Sequence, residues 1–224
     1  MSLGVVVLGP PGAGKGTQGE SLARAFGIPK ISTGDMLRDA VAARTALGRA
    51  VAATMHGGGL VSDETMIAIV RERLARPDAS CGFVLDGFPR TVAQAEALDE
   101  TMAGRGPLTV LYLDVPTEEL VRRLTTRRIC GTCGTNAPPG ARDDDRCGKC
   151  GGGFERRRDD DEAIVRERLR TYHEQTAPLV AFYRASATFH AIAGNRPPEV
   201  VAAALGAAFE ADAAAAGRLV QRTR

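Results

Sequence analysis

Residues 5–17 read VVVLGPPGAGKGT, an apolar run followed by a glycine-rich loop that ends in a lysine, a glycine and a threonine. A helix-like stretch begins near Lys15, so the pattern is that of a buried strand that enters a tight loop and continues as a helix. Such a loop directs several backbone N–H groups at one point, and the helix N-terminus and the lysine add positive charge. A glycine-rich turn without a ligand is the alternative, but the flanking strand and helix favour a phosphate site. The sequence therefore predicts that the chain binds a nucleotide.

The composition is that of an ordinary soluble domain. The chain has 224 residues, of which 44% are hydrophobic and 25% charged, so it can bury a sizeable core. Its net charge of +2 gives no strong field towards nucleic acid or a membrane surface. The apolar run at 3–8 is too short for a signal peptide, and no run approaches the about 18 residues of a membrane span. We expect a cytoplasmic protein without a nucleic-acid or membrane partner.

Short apolar runs alternate with longer helical patterns, which is typical of a parallel sheet covered by helices on both faces. Strands are predicted at 5–9, 28–31, 83–86, 110–115 and 189–193. Helices are predicted at 15–26, 35–44, 63–75, 91–103, 117–127, 160–184 and 198–210. Two regions do not fit the sheet core: 32–61, which is helical with a glycine break, and about 128–158, which is poor in apolar residues.

The end of the loop departs from the general phosphate-loop pattern, in which a serine or threonine directly after the lysine reaches a magnesium ion. Gly16 occupies that place, and the hydroxyl comes one residue later, at Thr17. Asp86 ends the predicted strand 83–86, at the sheet edge where open α/β folds bind ligands. Its carboxylate is therefore a candidate for holding magnesium directly or through water. A helix cap or a turn aspartate is the alternative for Asp86.

Two Cys-x-x-Cys pairs, Cys130 with Cys133 and Cys147 with Cys150, are separated by 13 residues and lie in glycine-rich turns. This spacing indicates a zinc ribbon, in which four thiolates form a tetrahedron around one ion. Free or disulfide-linked cysteines are the alternative. Four sulfur ligands leave no open position, so the zinc would be structural and would stabilise a segment with little apolar material. Cys81 stands alone and is interpreted as a small packing residue.

Four motifs in order, GPPGAGKGT (9–17), STGDMLR (32–38), LVSDE (60–64) and LDGFPRT (85–91), resemble those of the adenylate kinase family over essentially the whole chain. The resemblance implies a P-loop three-layer α/β/α core with a five-stranded parallel sheet, built from 1–31, 62–123 and 162–224. It further implies a helical monophosphate-binding insertion at 32–61 and a small zinc-ribbon-like lid at 124–161. The implied reaction is MgATP + AMP ⇌ 2 ADP in a monomer. A kinase for another nucleoside monophosphate (UMP/CMP, or AMP with GTP as donor) is the close alternative, and a P-loop zinc-ribbon protein that binds nucleic acid is a distant one.

The same resemblance assigns roles to individual residues. Residues implied in catalysis are Lys15, Asp86, Arg90, Arg123, Arg157 and Arg168. Those implied in ATP binding are Gly12, Ala13, Gly14, Lys15, Gly16, Thr17, Arg123, Arg127 and Arg196. Those implied in AMP binding are Thr33, Arg38, Gly59, Leu60, Val61, Gly87, Arg90, Gln94, Arg157 and Arg168. This set suits phosphoryl transfer, in which alignment and charge neutralisation supply most of the catalysis.

Details of the lid differ from the family pattern. The spacer between the cysteine pairs is shorter than usual, and Asn136 and Ala137 stand where relatives tend to carry Thr-Tyr. Asp159 and Asp160 match positions that order the lid arginines in the family. A cap for the helix predicted at 160–184 is an equally good and compatible interpretation of these two aspartates.

Overall fold

Five parallel strands form the central sheet of the computed structural model, which describes residues 3–138, 140–142, 144–156 and 160–217. The strands of the chain are β1 (Leu3–Leu8), β2 (Lys30–Ser32), β3 (Gly82–Asp86), β4 (Leu108–Asp114), β5 (Arg128–Cys130), β6 (Phe154–Arg156) and β7 (Phe189–Ala193). The central sheet has the order β2-β3-β1-β4-β7. Helices cover it, so the predicted α/β class and the five-stranded parallel sheet are confirmed. Each predicted strand lies within two residues of the observed bounds.

Nine α-helices connect and flank these strands in the described part of the chain. They are α1 (Lys15–Phe26), α2 (Thr33–Ala42), α3 (Ala46–His56), α4 (Asp63–Leu74), α5 (Val92–Met102), α6 (Thr117–Thr126), α7 (Glu162–Thr171), α8 (Pro178–Arg184) and α9 (Pro198–Ala215). Hydroxyl side chains cap several of them, as Ser62 does by accepting from the Thr65 N–H and Thr91 from the Gln94 N–H. These caps determine where α4 and α5 begin, and thereby place their first turns near the sheet edge.

Three helical predictions differ from the structure, the smallest difference being that the helix predicted at 198–210 extends to Ala215. The helix predicted at 35–44 begins at Thr33, because the Ser32 hydroxyl accepts from the Asp35 N–H and caps it. A second helix, α3, follows, and the two pack so closely that a Cβ at Gly48 would lie 1.9 Å from the Ala40 carbonyl oxygen. The helix predicted at 160–184 is instead three pieces: α7, a π-helical turn at Tyr172–Thr176, and α8. Pro178 contributes to this break because it has no N–H for the preceding turn.

The apolar residues of β1 determine how the sheet is buried. Val5, Val6 and Val7 are at most 1% exposed. Val5 and Val7 pack in one core cluster with α1 and α9, whereas Val6 packs in the other with α2, α4, α5 and α8. Alternate side chains of a strand point to opposite faces, so both faces of the sheet are covered. Each buried valine contributes about 1.5–3 kcal/mol, which holds the strand and hence the start of the glycine loop in place.

The described residues of 128–156, called here the cysteine segment, form a small unit beside the sheet. β5 and β6 pair antiparallel, with Arg128 opposite Arg156 and Cys130 opposite Phe154. The buried apolar cluster here consists of Cys130, Cys147 and Phe154. This is little apolar material for a folded unit, as the composition of the region predicted.

None of the helices in the described ranges combines the length and the apolar character needed to cross a membrane.

A buried polar cluster joins α9 to the sheet. The Thr109 hydroxyl on β4 donates to Asp212 Oδ2 on α9 at 2.8 Å. His190 Nε2 on β7 lies 3.0 Å from Asp212 Oδ1. Thr109 is 2% exposed, so its hydroxyl depends on Asp212 for a partner.

We predict that Asp212→Ala lowers the free energy of unfolding by about 1–3 kcal/mol, because it leaves the buried Thr109 hydroxyl unpaired. Adding Thr109→Val should recover part of this loss, since the second change removes the unpaired hydroxyl. Urea unfolding of the two single variants and the double variant measures both effects. Additive losses in the double variant would contradict the prediction.

Candidate active site

The glycine loop follows β1 and closes on the start of α1. Gly9, Gly12 and Gly14 have positive φ angles of 147°, 84° and 95°, which L side chains rarely adopt. A Cβ at Gly12 would also lie 2.9 Å from Leu124 Cγ on α6, whereas a Cβ at Gly14 would meet nothing within 4 Å. The loop therefore needs glycine for its backbone conformation, and at Gly12 also for close packing. Its N–H groups and the N-terminus of α1 form a concave site suited to phosphate oxygens.

Lys15 is held inside this loop. Its Nζ donates to the Gly9 carbonyl at 2.8 Å and to the Pro10 carbonyl at 2.9 Å. Burial lowers the pKa of Lys15 to about 7, the nearby Asp86 opposes this effect, and the positive charge of Arg90 adds to it. Burial makes the charged form of Lys15 unfavourable. A bound phosphate chain would offset this effect, because it places negative charge beside the ammonium group.

Asp86 lies beside the loop, as its position at the end of β3 indicated. β3 pairs with β1 in parallel, with Asp86 opposite Val7, so the carboxyl ends of both strands meet at one edge. A Cβ at Gly16 would lie 3.4 Å from Asp86 Oδ2. The carboxylate thus adjoins the phosphate site, where an oxygen ligand suits a hard divalent cation.

One cavity brings together the described residues that the resemblance assigned to AMP. It is lined by all nine of them together with Lys15: Thr33, Arg38, Gly59, Leu60, Val61, Gly87, Arg90, Gln94 and Arg168. They come from α2, the segment after α3, the loop after β3, α5 and α7. The tenth residue, Arg157, lies outside the described residues, as does Asp159. The cavity contains apolar wall, amide and guanidinium groups, which a nucleoside monophosphate requires.

Of the described arginines that line the cavity, Arg38 and Arg90 are anchored by neighbours close in sequence. Arg90 Nε donates to the Gly87 carbonyl at 2.8 Å, and that carbonyl also accepts from the Thr33 hydroxyl at 2.9 Å. Arg38 forms an ion pair with Asp35. Burial alone would raise the pKa of Asp35, but the Arg38 guanidinium holds it below its ordinary value. The guanidinium groups are therefore held in place before any phosphate arrives.

Gln94 is buried in the cavity wall with both ends of its amide engaged. Its Oε1 accepts from the Arg90 backbone N–H at 2.8 Å, and its Nε2 donates to Asp63 Oδ1 at 2.7 Å. The side chain is 1% exposed. The contact with Asp63 was not predicted from the sequence, in which Asp63 belongs to the motif at 60–64 but has no assigned role.

Asp160 connects two further arginines. It is 1% exposed, and its Oδ1 accepts from Arg168 Nη1 at 3.1 Å. Arg127 Nε donates to Asp160 Oδ2 at 2.6 Å, and a second nitrogen of Arg127 contacts Oδ1. Asp160 thus contacts both arginines, while the cap of α7 is the next residue, Asp161, which accepts from the Ala163 N–H. A buried carboxylate between two guanidinium groups places both of them near the loop.

Two further residues assigned to ATP, Arg123 and Arg196, lie on α6 and in the segment after β7. Arg123 Nη2 donates to the Gly194 carbonyl at 3.0 Å, and its Nε donates to Glu119 Oε1 at 2.7 Å. Hydrogen bonds from Arg122 and Arg123 lower the pKa of Glu119 to about 2. Arg196, two residues after Gly194, is exposed. The sequence did not indicate Glu119 as the partner that orients Arg123, because acidic residues in a first helical turn are common.

The cavity is also lined by residues that the sequence did not identify as part of the site. Gly58 comes from the glycine run after α3. Tyr172 and Thr176 come from the π-helical turn that follows α7. The glycine run was visible in the sequence as a joint. The π-helical turn was not, because its i→i+5 pattern has no sequence signature comparable to that of an α-helix.

The four cysteines of the two pairs meet at one point of the cysteine segment. Their sulfur atoms all lie within 4.8 Å of one another, with Cys130 Sγ 3.4 Å from Cys150 Sγ and Cys133 Sγ 3.7 Å from Cys147 Sγ. A tetrahedron with about 2.3 Å metal–sulfur bonds has sulfur atoms about 3.8 Å apart, so the arrangement could hold a metal ion. Cys133 Sγ also lies 3.2 Å from the Thr135 hydroxyl, which lowers the pKa of its thiol to about 6 and favours the thiolate that binds metal.

The cysteine segment also reaches the loop. Asn136 forms a β-bridge with Ile129. Its Nδ2 lies 4.0 Å from the position that a Cβ on Gly16 would occupy. Where relatives tend to have Thr-Tyr, the structure therefore places an amide over the phosphate site. Its neighbour Ala137 packs instead on the cysteine cluster.

A glycine loop at a parallel sheet edge, with a second cavity that shares its lysine, defines the class of P-loop nucleotide phosphotransferases. The adenylate kinase family model matches residues 7–188. The adenylate kinase of Archaeoglobus fulgidus is 48% identical over 206 residues, which cover 89% of this chain and 94% of that protein. Those of Moorella thermoacetica and Nitrosococcus oceani are 46% and 47% identical over 93% and 92% of this chain, and 98% and 97% of their own. The chain belongs to the adenylate kinase family and is an enzyme.

We predict that ATP binding at pH 8 takes up about 0.9 proton per chain, because Lys15, with a pKa of about 7, is mostly neutral in the free protein and charged beside phosphate. Uptake should fall towards zero at pH 6, where Lys15 is already protonated. Isothermal titration calorimetry in buffers of different ionisation enthalpy measures this number. Lys15→Arg is the matched control, since guanidinium stays charged throughout. Equal uptake by both proteins would contradict the assignment to Lys15.

Proposed function

We propose that the chain catalyses the reversible transfer of the terminal phosphoryl group of MgATP to AMP, which gives two molecules of ADP. The observation that carries the proposal is the shared position of Lys15. It begins the helix of the glycine loop and also lines the cavity that contains Arg38, Arg90 and Gln94. A donor phosphate chain in the loop and an acceptor phosphate in the cavity would thus approach one another at this lysine. The names of the family and of its relatives support the same reaction.

The proposed mechanism relies on alignment and charge. Arg38 and Arg90 would clamp the acceptor phosphate, since planar guanidinium groups match phosphate oxygens. Lys15 and Arg168 would neutralise the charge that spreads over the transferring group, with Arg157 as a further proposed cation. An acceptor phosphate oxygen forms a bond to the donor's terminal phosphorus while the bond to the bridging oxygen breaks. No side chain needs to become covalently attached.

Donor binding is proposed to use the loop and further arginines. Backbone groups from Gly12 to Thr17 would hold the phosphates. Arg123 and Arg127, fixed by Glu119 and Asp160, would face the donor, with Arg196 near its base. Magnesium fits beside Asp86, whose carboxylate adjoins Gly16, and it would neutralise part of the phosphate charge when bound.

The cysteine segment is proposed to hold structural zinc and to act as a lid. The sulfur separations fit a tetrahedral ion with no position left for substrate. We further propose the division into a core at 1–31, 62–123 and 162–224, an AMP-binding insertion at 32–61 and a lid at 124–161. Asn136 over Gly16 supports lid closure on the donor, and the glycines at 57–59 provide a joint beside the insertion. The same reasoning from the family supports a monomer in the cytoplasm.

An acceptor panel of AMP, UMP, CMP and GMP, each with MgATP, tests the function. We predict that AMP is the best acceptor and yields ADP. Arg90→Ala should lower kcat/KM by about 10²–10³-fold, because it removes a preplaced charge from the acceptor phosphate. Arg170→Ala is the matched control, since this exposed α7 arginine forms ion pairs with Glu167 and Glu174. Turnover of another monophosphate in preference to AMP would overturn the proposed substrate.

We predict that protein purified without added metal contains about one zinc ion per chain, as a four-thiolate site requires. Cys147→Ser should lose the ion and lower the melting temperature, because metal binding stabilises this apolar-poor segment. Cys81→Ser, which changes a cysteine outside the cluster, should keep both. Elemental analysis and thermal unfolding measure these outcomes. Full zinc content in Cys147→Ser would exclude this site.

A further inference from the structure

The Gln94 amide is held in one orientation by two partners of opposite character. An amide oxygen only accepts and an amide nitrogen only donates. Oε1 faces the Arg90 backbone N–H, which can only donate, and Nε2 faces the Asp63 carboxylate, which accepts. If the amide rotated by 180°, Nε2 would face the Arg90 N–H, so that two donors met, and Oε1 would face the Asp63 carboxylate, so that two acceptors met. The Arg90 N–H and Asp63 therefore exclude the flipped orientation.

The fixed amide retains hydrogen-bonding capacity towards the cavity that it lines. One of its two N–H groups is used by Asp63, and one of the two acceptor positions of Oε1 is used by the Arg90 N–H. A second donor and a second acceptor remain, in a fixed order. Flipping the amide would exchange their positions, so the order in which a base must present its own acceptor and donor depends on Asp63 together with the Arg90 N–H.

We propose that Asp63 is a positioning residue for base selection, acting through Gln94. This inference rests on the proposed function. The amide orientation that Asp63 helps to fix favours a purine monophosphate in which a ring nitrogen accepts a hydrogen bond and the adjacent exocyclic amine donates one. Hypoxanthine has the same size but the reverse order, with a ring N–H beside a carbonyl. A site with a locked amide leaves such a base with its polar groups unpaired, which is the strongest form of discrimination by hydrogen bonding.

The position of Asp63 in the fold suits this role. It is the first residue of α4 after the Ser62 cap, and it is partly buried against α5, where Gln94 lies in the first turn. A merely structural role is the competing account, since an acidic residue in a first helical turn also stabilises the helix. The adjacent Glu64 has that same favourable place but is exposed, and it serves as the comparison.

The test compares AMP and IMP as acceptors, with MgATP as donor, for the wild type and for Asp63→Ala, Asp63→Asn and Glu64→Ala. Asp63→Ala removes one of the two partners that oppose rotation of the amide, so the ratio of kcat/KM for AMP over IMP should fall by about 10-fold. Asp63→Asn can still accept from Nε2 but can also donate to a rotated Oε1, so its ratio should lie between those of the wild type and Asp63→Ala. KM for ATP should not change in any variant. Asp63→Ser replaces Asp63→Ala if the alanine protein does not fold.

The possible outcomes separate three accounts. A lower AMP:IMP ratio in Asp63→Ala, with an intermediate ratio in Asp63→Asn and an unchanged ratio in Glu64→Ala, supports the inference. Equal losses for both acceptors, or the same loss in Glu64→Ala, assign Asp63 to helix stability and overturn the inference. An active wild type whose ratio is insensitive to Asp63 also overturns it, but leaves the proposed function intact. Failure of the wild type to use AMP would instead reject the proposed function.

Discussion

Positive charge converging on one edge of the sheet is the constraint on which the site depends. Lys15, Arg90, Arg127 and Arg168 lie close enough that the three arginines act with burial to lower the pKa of Lys15. Such a cluster repels itself unless each cation is held by the fold. Asp160 holds Arg127 and Arg168, and the Gly87 carbonyl holds Arg90. The charges are thus arranged before a phosphate arrives, so little reorganisation remains when it binds.

The sheet order explains why these charges meet. β1 and β3 are neighbours and run parallel, so the glycine loop after one strand and Asp86 at the end of the other share an edge. Helix caps also contribute to the geometry of the site, because Ser62 and Thr91 determine where α4 and α5 start. The first turns of these helices carry Asp63 and Gln94. Local capping therefore determines the geometry of the cavity wall as much as the strands do.

The fold was largely predictable because its information is local. Alternating apolar strands and helical patterns indicated the parallel sheet, and the cysteine spacing indicated a metal-type cluster. Some site residues could be named because they lie in contiguous motifs, whereas arginines such as Arg123 and Arg168 were named only through the family resemblance. Asp160 was named through the resemblance as a residue that orders arginines, and it does contact Arg127, 33 residues away. The partner of Gln94 could not be named, because Asp63 lies 31 residues away and nothing in the sequence links the two. A carboxylate in a polar stretch looks the same whether it is solvated or buried beside an arginine.

One residue, Arg90, links the proposed base site to the proposed phosphate clamp. The Arg90 backbone N–H donates to Gln94, while the Arg90 side chain donates to the Gly87 carbonyl. A base that disturbs the Gln94 amide would therefore strain the backbone that carries the clamp. In such a site, acceptor identity affects the alignment of the phosphate and not only its binding, since small displacements of a reacting group reduce rates steeply. Base discrimination should accordingly be expressed in kcat as well as in KM, because the two recognition elements share one peptide group.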